Sequence, residues 1–158
     1  MKLKNQTCIV TGGGSGIGKG AAIALAAEGA HVVVADINKV NAESTVNEIQ
    51  NNNGKASSVE VDVASSSSCN DMASAAIAST GRIDVLFHAA GVQFQQTSAV
   101  DTSDEEWARF IDTNLSGTFY ACRSVMPEMR KQGSGAVILM ASGRVPIISS
   151  ARRAVMNR

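Results

Sequence analysis

Thr11-Gly12-Gly13-Gly14-Ser15-Gly16-Ile17-Gly18 joins an apolar β-branched run, Thr7 to Thr11 (TCIVT), to an alanine-rich segment that opens with Lys19 and Ala21. A strand that passes through glycines straight into a helix is a phosphate cradle. The turn must be tight, the backbone must approach a pyrophosphate without a Cβ in the way, and the helix must lie close against its strand. The first free N–H groups of that helix, with their partial positive charge, then face the anion. Asp36 closes the next apolar run, His31 to Asp36 (HVVVAD), where a carboxylate can accept hydrogen bonds from the hydroxyls of an adenosine ribose. The same charge repels a 2′-phosphate, and neither Ile37 nor Asn38 is basic, so the pattern predicts NAD rather than NADP.

Outward from this unit, short β-branched runs alternate with longer helical ones, the pattern of βαβ units and a parallel sheet. Strands are predicted at Thr7 to Thr11, His31 to Asp36, Ala56 to Asp62, Ile83 to His88 and Ala136 to Ala141, and helices over about 16–29, 39–52, 66–80 and 103–131. Asn51 to Gly54 reads as a helix end and Ser65 to Ser68 as an N-cap region. The expected architecture is α/β, a doubly wound parallel sheet in three α/β/α layers, with five strands present and the sheet incomplete on its C-terminal side. One domain over residues 1–142 is expected, followed by a basic tail over 143–158. All 14 acidic residues lie at or before Glu128, whereas Arg144, Arg152, Arg153 and Arg158 gather near the end.

Composition excludes several functions. A formal net charge of zero with 4% aromatic residues provides neither the basic field nor the stacking platform of a nucleic-acid binder. No run reaches the eighteen or so apolar residues that span a bilayer, and residues 1–6 lack the apolar core of a signal peptide, so a cytoplasmic protein is expected. Cys8, Cys69 and Cys122 have no metal-ligand spacing, which predicts buried or half-buried thiols and no metal site.

With these motifs in place, the sequence resembles the short-chain dehydrogenases/reductases, whose first turn reads TGxxxGxG as Thr11 to Gly18 does. Asp62-Val63 is similar to that family's adenine-contacting pair. His88-Ala89-Ala90-Gly91 is similar to its Asn-Asn-Ala-Gly segment, with both asparagines replaced. Asn114-Leu115-Ser116-Gly117 matches its Asn-x-x-Gly, and Ser142 stands where its catalytic serine would. The resemblance implies a Rossmann-like fold and hydride transfer between NAD(H) and a small alcohol or carbonyl substrate. Ser142 would bond the substrate oxygen and Asn114 would hold a water in the proton path. Cofactor contacts would come from Gly12, Ser15, Gly16, Ile17, Gly18, Asp36, Ile37, Asp62, Val63, Ala89, Ala90 and Gly91, with Gln93 to Thr97 along one wall of a substrate pocket. Alternatives remain: Asp62 as a helix cap, Asn114 satisfying backbone groups in a bent helix, and His88 as a strand-end residue near the cleft rather than an acid or base.

The family's Tyr-x-x-x-Lys pair is not found. The one tyrosine, Tyr120, falls inside the 103–131 helix, where a packed role is expected, and no tyrosine or lysine follows Ser142. The run Ser149 to Asn157 is similar to the family's segment only with the tyrosine and lysine replaced, and arginine cannot donate the proton. The sequence therefore reads as an oxidoreductase of this family truncated before or within that segment, and inactive in this form. The alternative is a non-catalytic NAD-binding module. Family resemblance further implies a homo-oligomer formed through helix 103–131.

Overall fold

The computed structural model describes residues 1–93 and 98–141. Strands β1 (Thr7–Thr11), β2 (His31–Asp36), β3 (Lys55–Glu60), β4 (Val85–His88) and β5 (Ala136–Leu139) form one parallel sheet in the order β3-β2-β1-β4-β5. Helices α1 (Gly16–Ala27), α2 (Lys39–Asn51), α3 (Ser66–Thr80), α4 (Asp104–Ile111) and α5 (Gly117–Gln132) make the crossovers. This is the expected doubly wound, Rossmann-like arrangement.

Alternation along the strands sends side chains to two cores. Ile9, Val33 and Leu86 pack under α3 and α5 with Met72, Ala121 and Val125, whereas Cys8, Val10, Val32 and Val34 pack under α1 and α2 with Ala22 and Ile49. Buried residues on α1 are Gly18, Ala22 and Ala26, and on α5 Gly117, Ala121, Val125 and Met129. Four-residue spacing puts each set on one stripe, and small residues early in that stripe let the helix lie close to the sheet. Gly117 shows the need: a Cβ there would stand 3.0 Å from Val63 Cγ2 and 3.2 Å from the Val63 carbonyl oxygen. Cys8 and Cys69 are buried and Cys122 is half-buried. Burial, with the nearby Asp84, raises the Cys8 thiol to about 12, and burial, with the nearby Asp62, raises the Cys69 thiol to about 11, so neither is a nucleophile at neutral pH. Among the described residues no helix is long and apolar enough to cross a membrane.

The structure corrects three boundaries and one element. β3 ends at Glu60 rather than Asp62, β4 begins at Val85 rather than Ile83, and β5 ends at Leu139 rather than Ala141. At β3 and β4 the apolar pattern runs past the last ladder pairing because Val61 and Ile83 are buried outside the ladder, whereas the exposed Met140 and Ala141 simply extend the apolar run beyond β5. The helix expected over 103–131 is interrupted by a π-helical segment, Asp112–Ser116, between α4 and α5. β5 lies at the outer edge, and Val137, Ile138 and Leu139 are exposed although apolar. The 143–158 tail lies outside the described residues.

At the N-terminal ends of the strands the chain is stitched by one carboxylate. Asp84 accepts the Thr7 N–H at 2.8 Å and both Arg82 nitrogens, Nε at 2.8 Å and Nη2 at 2.6 Å. Burial alone would raise the Asp84 carboxyl, yet the Arg82 and Thr7 hydrogen bonds and the Arg82 charge outweigh it and hold it below the usual carboxylate range. A carboxyl depressed in the folded state contributes stability above its unfolded pKa, and that contribution is lost as pH falls through the depressed value. Asp84→Ala is expected to cost about 2–3 kcal/mol in urea unfolding at pH 7, because it leaves the buried Thr7 N–H without its acceptor. The gap between the two proteins should close as pH drops below the ordinary aspartate range. A gap that stayed constant with pH would exclude an ionised Asp84 as its source.

Candidate functional site

The sheet order changes direction between β1 and β4, since the chain leaves β1 toward β2 on one side and later returns to β4 on the other. A crevice must open there, at the C-terminal ends of the strands. A cleft of about 800 Å³ occupies this place, lined by Gly12, Ser15, Gly16, Ile17, Gly18, Asp36, Ile37, Asp62, Val63, Ala89, Ala90 and Gly91, among others. Every cofactor contact read from the sequence thus meets on one cavity. Of the two catalytic candidates, Asn114 stands beside it, and Ser142 lies outside the described residues. Gln93 lines the cleft, while Phe94 to Thr97 also lie outside the described residues.

The glycine turn has no room for side chains where it meets the body and ample room where it faces the cleft. A Cβ on Gly12, whose φ is +66°, would stand 2.9 Å from the Ala90 nitrogen. One on Gly18 would run into the Gly12 carbonyl oxygen. At Gly16, φ +51°, a Cβ would meet nothing within 4 Å. Ser15 is extended before α1 and makes no side-chain cap, so the first N–H groups of α1 have no capping oxygen from it. A turn of this shape presents backbone donors to an anion in the cleft.

Asp36 is fixed at the mouth by two backbone donors: Gly14 N–H to Oδ2 and Asn38 N–H to Oδ1, both at 2.9 Å. A carboxylate offers about four acceptor sites, so capacity remains for a ligand's hydroxyls. A Cβ on Gly14 would stand 2.8 Å from Asp36 Oδ2, which accounts for the third glycine in the run. Asp62 accepts the Ala64 N–H through Oδ1 at 2.9 Å, bending the chain beside the cleft, but the side-chain cap of α3 is Ser65, which accepts from Ser68.

Asn114 lies in the π-helical segment. Its Nδ2 donates to the Val92 carbonyl at 2.8 Å and its Oδ1 accepts the Val92 N–H at 2.9 Å, clamping the loop that follows β4. A Cβ on Gly91 would stand 3.0 Å from that oxygen. The extra residue of a π turn rotates the helix locally, a device frequent at functional sites. His88 is 2% exposed, and burial lowers its pKa, so the ring is neutral at pH 7. Tyr120 packs against the core, with the Arg123 guanidinium 5.1 Å from its ring centroid, and does not line the cleft.

Arg109, Asp112 and Thr113 also line the cleft, although the sequence reading did not single them out. Positions 109, 112 and 113 share one helical face, and that spacing was the available signal.

Residues 6–151 match the family model described as short chain dehydrogenase. Cyclohexanol dehydrogenase of an Acinetobacter species is 36% identical over 89% of this chain and 56% of its own length. The 3-oxoacyl-acyl-carrier-protein reductase of Thermotoga maritima is 34% identical over 90% of this chain and 57% of its own. A solved 7α-hydroxysteroid dehydrogenase, complexed with NADH and 7-oxo glycochenodeoxycholic acid, superposes with a TM-score of 0.83 at 34% identity, covering 89% of this chain and 55% of that one. The chain thus spans little more than half the length of these relatives.

The interlock at the turn can be tested without a ligand. Gly18→Ala is expected to cost about 3 kcal/mol in urea unfolding, because a helix start must move off backbone. Gly20→Ala, two residues on in α1 with nothing within 4 Å of its Cβ, is expected to add about 0.5–1 kcal/mol through helix propensity. Equal effects at both positions would contradict the packing described.

Proposed function

Since the chain belongs to the short-chain dehydrogenase family, we propose that its cleft binds NAD and that the complete protein transfers hydride between NAD(H) and a small alcohol or carbonyl compound. The observation that carries this reading is the Asp36 carboxylate, fixed by Gly14 and Asn38 at the cleft mouth with acceptor capacity left for two ribose hydroxyls. The same negative charge, with no basic residue at 37 or 38, disfavours the 2′-phosphate of NADP.

Gly12 to Gly18 and the start of α1 would hold the pyrophosphate, Asp62 and Val63 the adenine, and Ala89 to Gly91 the far side of the cofactor. The groups fit, because the turn that would accept the pyrophosphate is open at Gly16 and closed only toward the body. Bound NAD supplies the hydride chemistry, and the protein supplies orientation and proton traffic. Asn114 serves this end by holding the Val92 backbone, and so the wall that follows β4, in place. Ser142 is the proposed partner of the substrate oxygen.

One observation favours a narrower reading for this stretch alone. The single tyrosine is committed to packing on α5 beneath Arg123, away from the cleft, and cannot deliver a proton there. The 158-residue chain is accordingly a cofactor-binding unit that does not turn over.

Three measurements test these readings. NAD at a hundredfold excess over its Kd is expected to stabilise the chain by about 2.7 kcal/mol, with a smaller effect from NADP at equal concentration. Asp36→Ala should weaken NAD about tenfold while leaving NADP little changed, from the loss of hydrogen bonds to a charged acceptor. With secondary alcohols as substrates, this chain should bind NAD yet produce no NADH absorbance. Turnover would overturn the narrower reading, and the absence of any NAD effect would overturn both.

A further inference from the structure

His88 is buried, faces the same core as Leu86, and enters no step above. Its Nδ1 stands 2.8 Å from Thr11 Oγ1, and that oxygen also accepts the Ala90 N–H at 3.3 Å. Its Nε2 has no hydrogen-bond partner among the described residues. Thr11 opens the glycine turn, and Ala90 belongs to the opposite wall of the cleft, so the ring sits beneath the joint between the two.

Hydrogen-bond accounting fixes the direction of this chain. With the ring proton on Nε2, Ala90 N–H donates to Thr11, the Thr11 hydroxyl donates to His88 Nδ1, and one group, Nε2–H, is left over. With the proton on Nδ1, both the ring and Ala90 donate to Thr11, and two groups are left over: the Nε2 lone pair and the Thr11 hydroxyl proton. Each buried unmet group is costly, so the first arrangement prevails. A chain in which every donor points the same way is also mutually polarised and strengthened.

We propose that His88 is a positioning residue for the bound dinucleotide: held in its Nε2–H form, it orients the Thr11 hydroxyl and through it locks the glycine turn to the Ala89–Gly91 wall. The inference rests on the reading of this cleft as a dinucleotide site. It explains how the turn keeps its shape where the sequence carries neither of the asparagines that the family resemblance led us to expect there. Among the described residues Nε2 is left without a partner, while Nδ1 orders a joint that the ligand needs.

The test uses the whole chain, with NAD as the probe. His31, half-buried and bonded to Ser57 at the opposite end of its strand, is the only other histidine and serves as an internal reference in ring-nitrogen NMR. The expected spectrum shows His88 with its proton on Nε2, and saturating NAD shifts the His88 ring nitrogens while those of His31 stay in place. A His88 proton on Nδ1, or a ring that does not respond to NAD, overturns the inference without any variant having to fold. By calorimetry, His88→Leu should weaken NAD about tenfold, His88→Asn should recover most of that loss by restoring an acceptor near the Nδ1 position, and Thr11→Val should cost less on the His88→Leu background than it does in the wild type. Equal NAD affinity in wild type and His88→Leu, or no recovery in His88→Asn, overturns it. A wild-type chain that binds no NAD overturns the reading of the cleft and this inference together.

Discussion

The C-terminal edge of the sheet depends on one close approach of backbone to backbone. Gly12 has the Ala90 nitrogen against one side and Gly18 against the other, and at neither contact is there space for a single carbon. Because Gly12 is trapped between the end of β4 and the start of α1, those two elements cannot shift independently. The cleft between β1 and β4 is therefore shaped before any ligand arrives. Preorganisation of this kind spares a ligand the cost of ordering the turn.

β4 is the other half of that approach, and two carboxamides hold it from outside the sheet. Asn114, in the π segment, closes a pair of hydrogen bonds on Val92 just after the strand, while Gln132, at the end of α5, does the same to Ile83 just before it: Oε1 accepts the Ile83 N–H at 3.0 Å and Nε2 donates to its carbonyl at 2.8 Å. A carboxamide carries a donor and an acceptor side by side and can satisfy both groups of one residue where the ladder has stopped. Helix α5 lies across the sheet with its buried stripe, and its flanking amides pin both ends of β4. The π segment sets where along the chain the first amide falls.

How far the sequence was legible follows from which forces leave a periodic trace. β1 and β2 appear at the predicted residues, and α3 spans 66–80 as read, because burial on both faces of a parallel strand and a Ser65 cap are local signals. The set of glycines and aspartates that line the cleft was legible because the strand, the glycine turn and the following helix are consecutive in sequence. The π segment was not, since one residue added to a helical turn barely disturbs an apolar pattern read at 3.6 residues per turn. Nor was the Asp84–Arg82–Thr7 stitch, which joins residues 77 positions apart and leaves no motif. Arg109, Asp112 and Thr113 share a helical face in sequence, but that this face meets the cleft is set by how α4 and the π segment pack, which is tertiary.

The two ends of the sheet consequently do different work, and the difference is visible in how each treats its polar groups. At the N-terminal ends of β1 and β4, Asp84 and Gln132 meet the free backbone groups with side chains, and Arg82 holds the Asp84 carboxylate in place, as a structural end requires. At the C-terminal ends, the α1 start goes without a side-chain cap from Ser15, Asp36 keeps spare acceptor capacity, and His88 keeps an orphan nitrogen. Groups left available in this way can exchange water for a ligand's donors and acceptors without breaking a bond of the fold. Complementary donors and acceptors on a dinucleotide would meet the first two features directly, and the third would be relieved only through the turn it supports. The stitched end thus spends its polar groups on the fold, while the open end keeps acceptors and donors that the proposed dinucleotide could use.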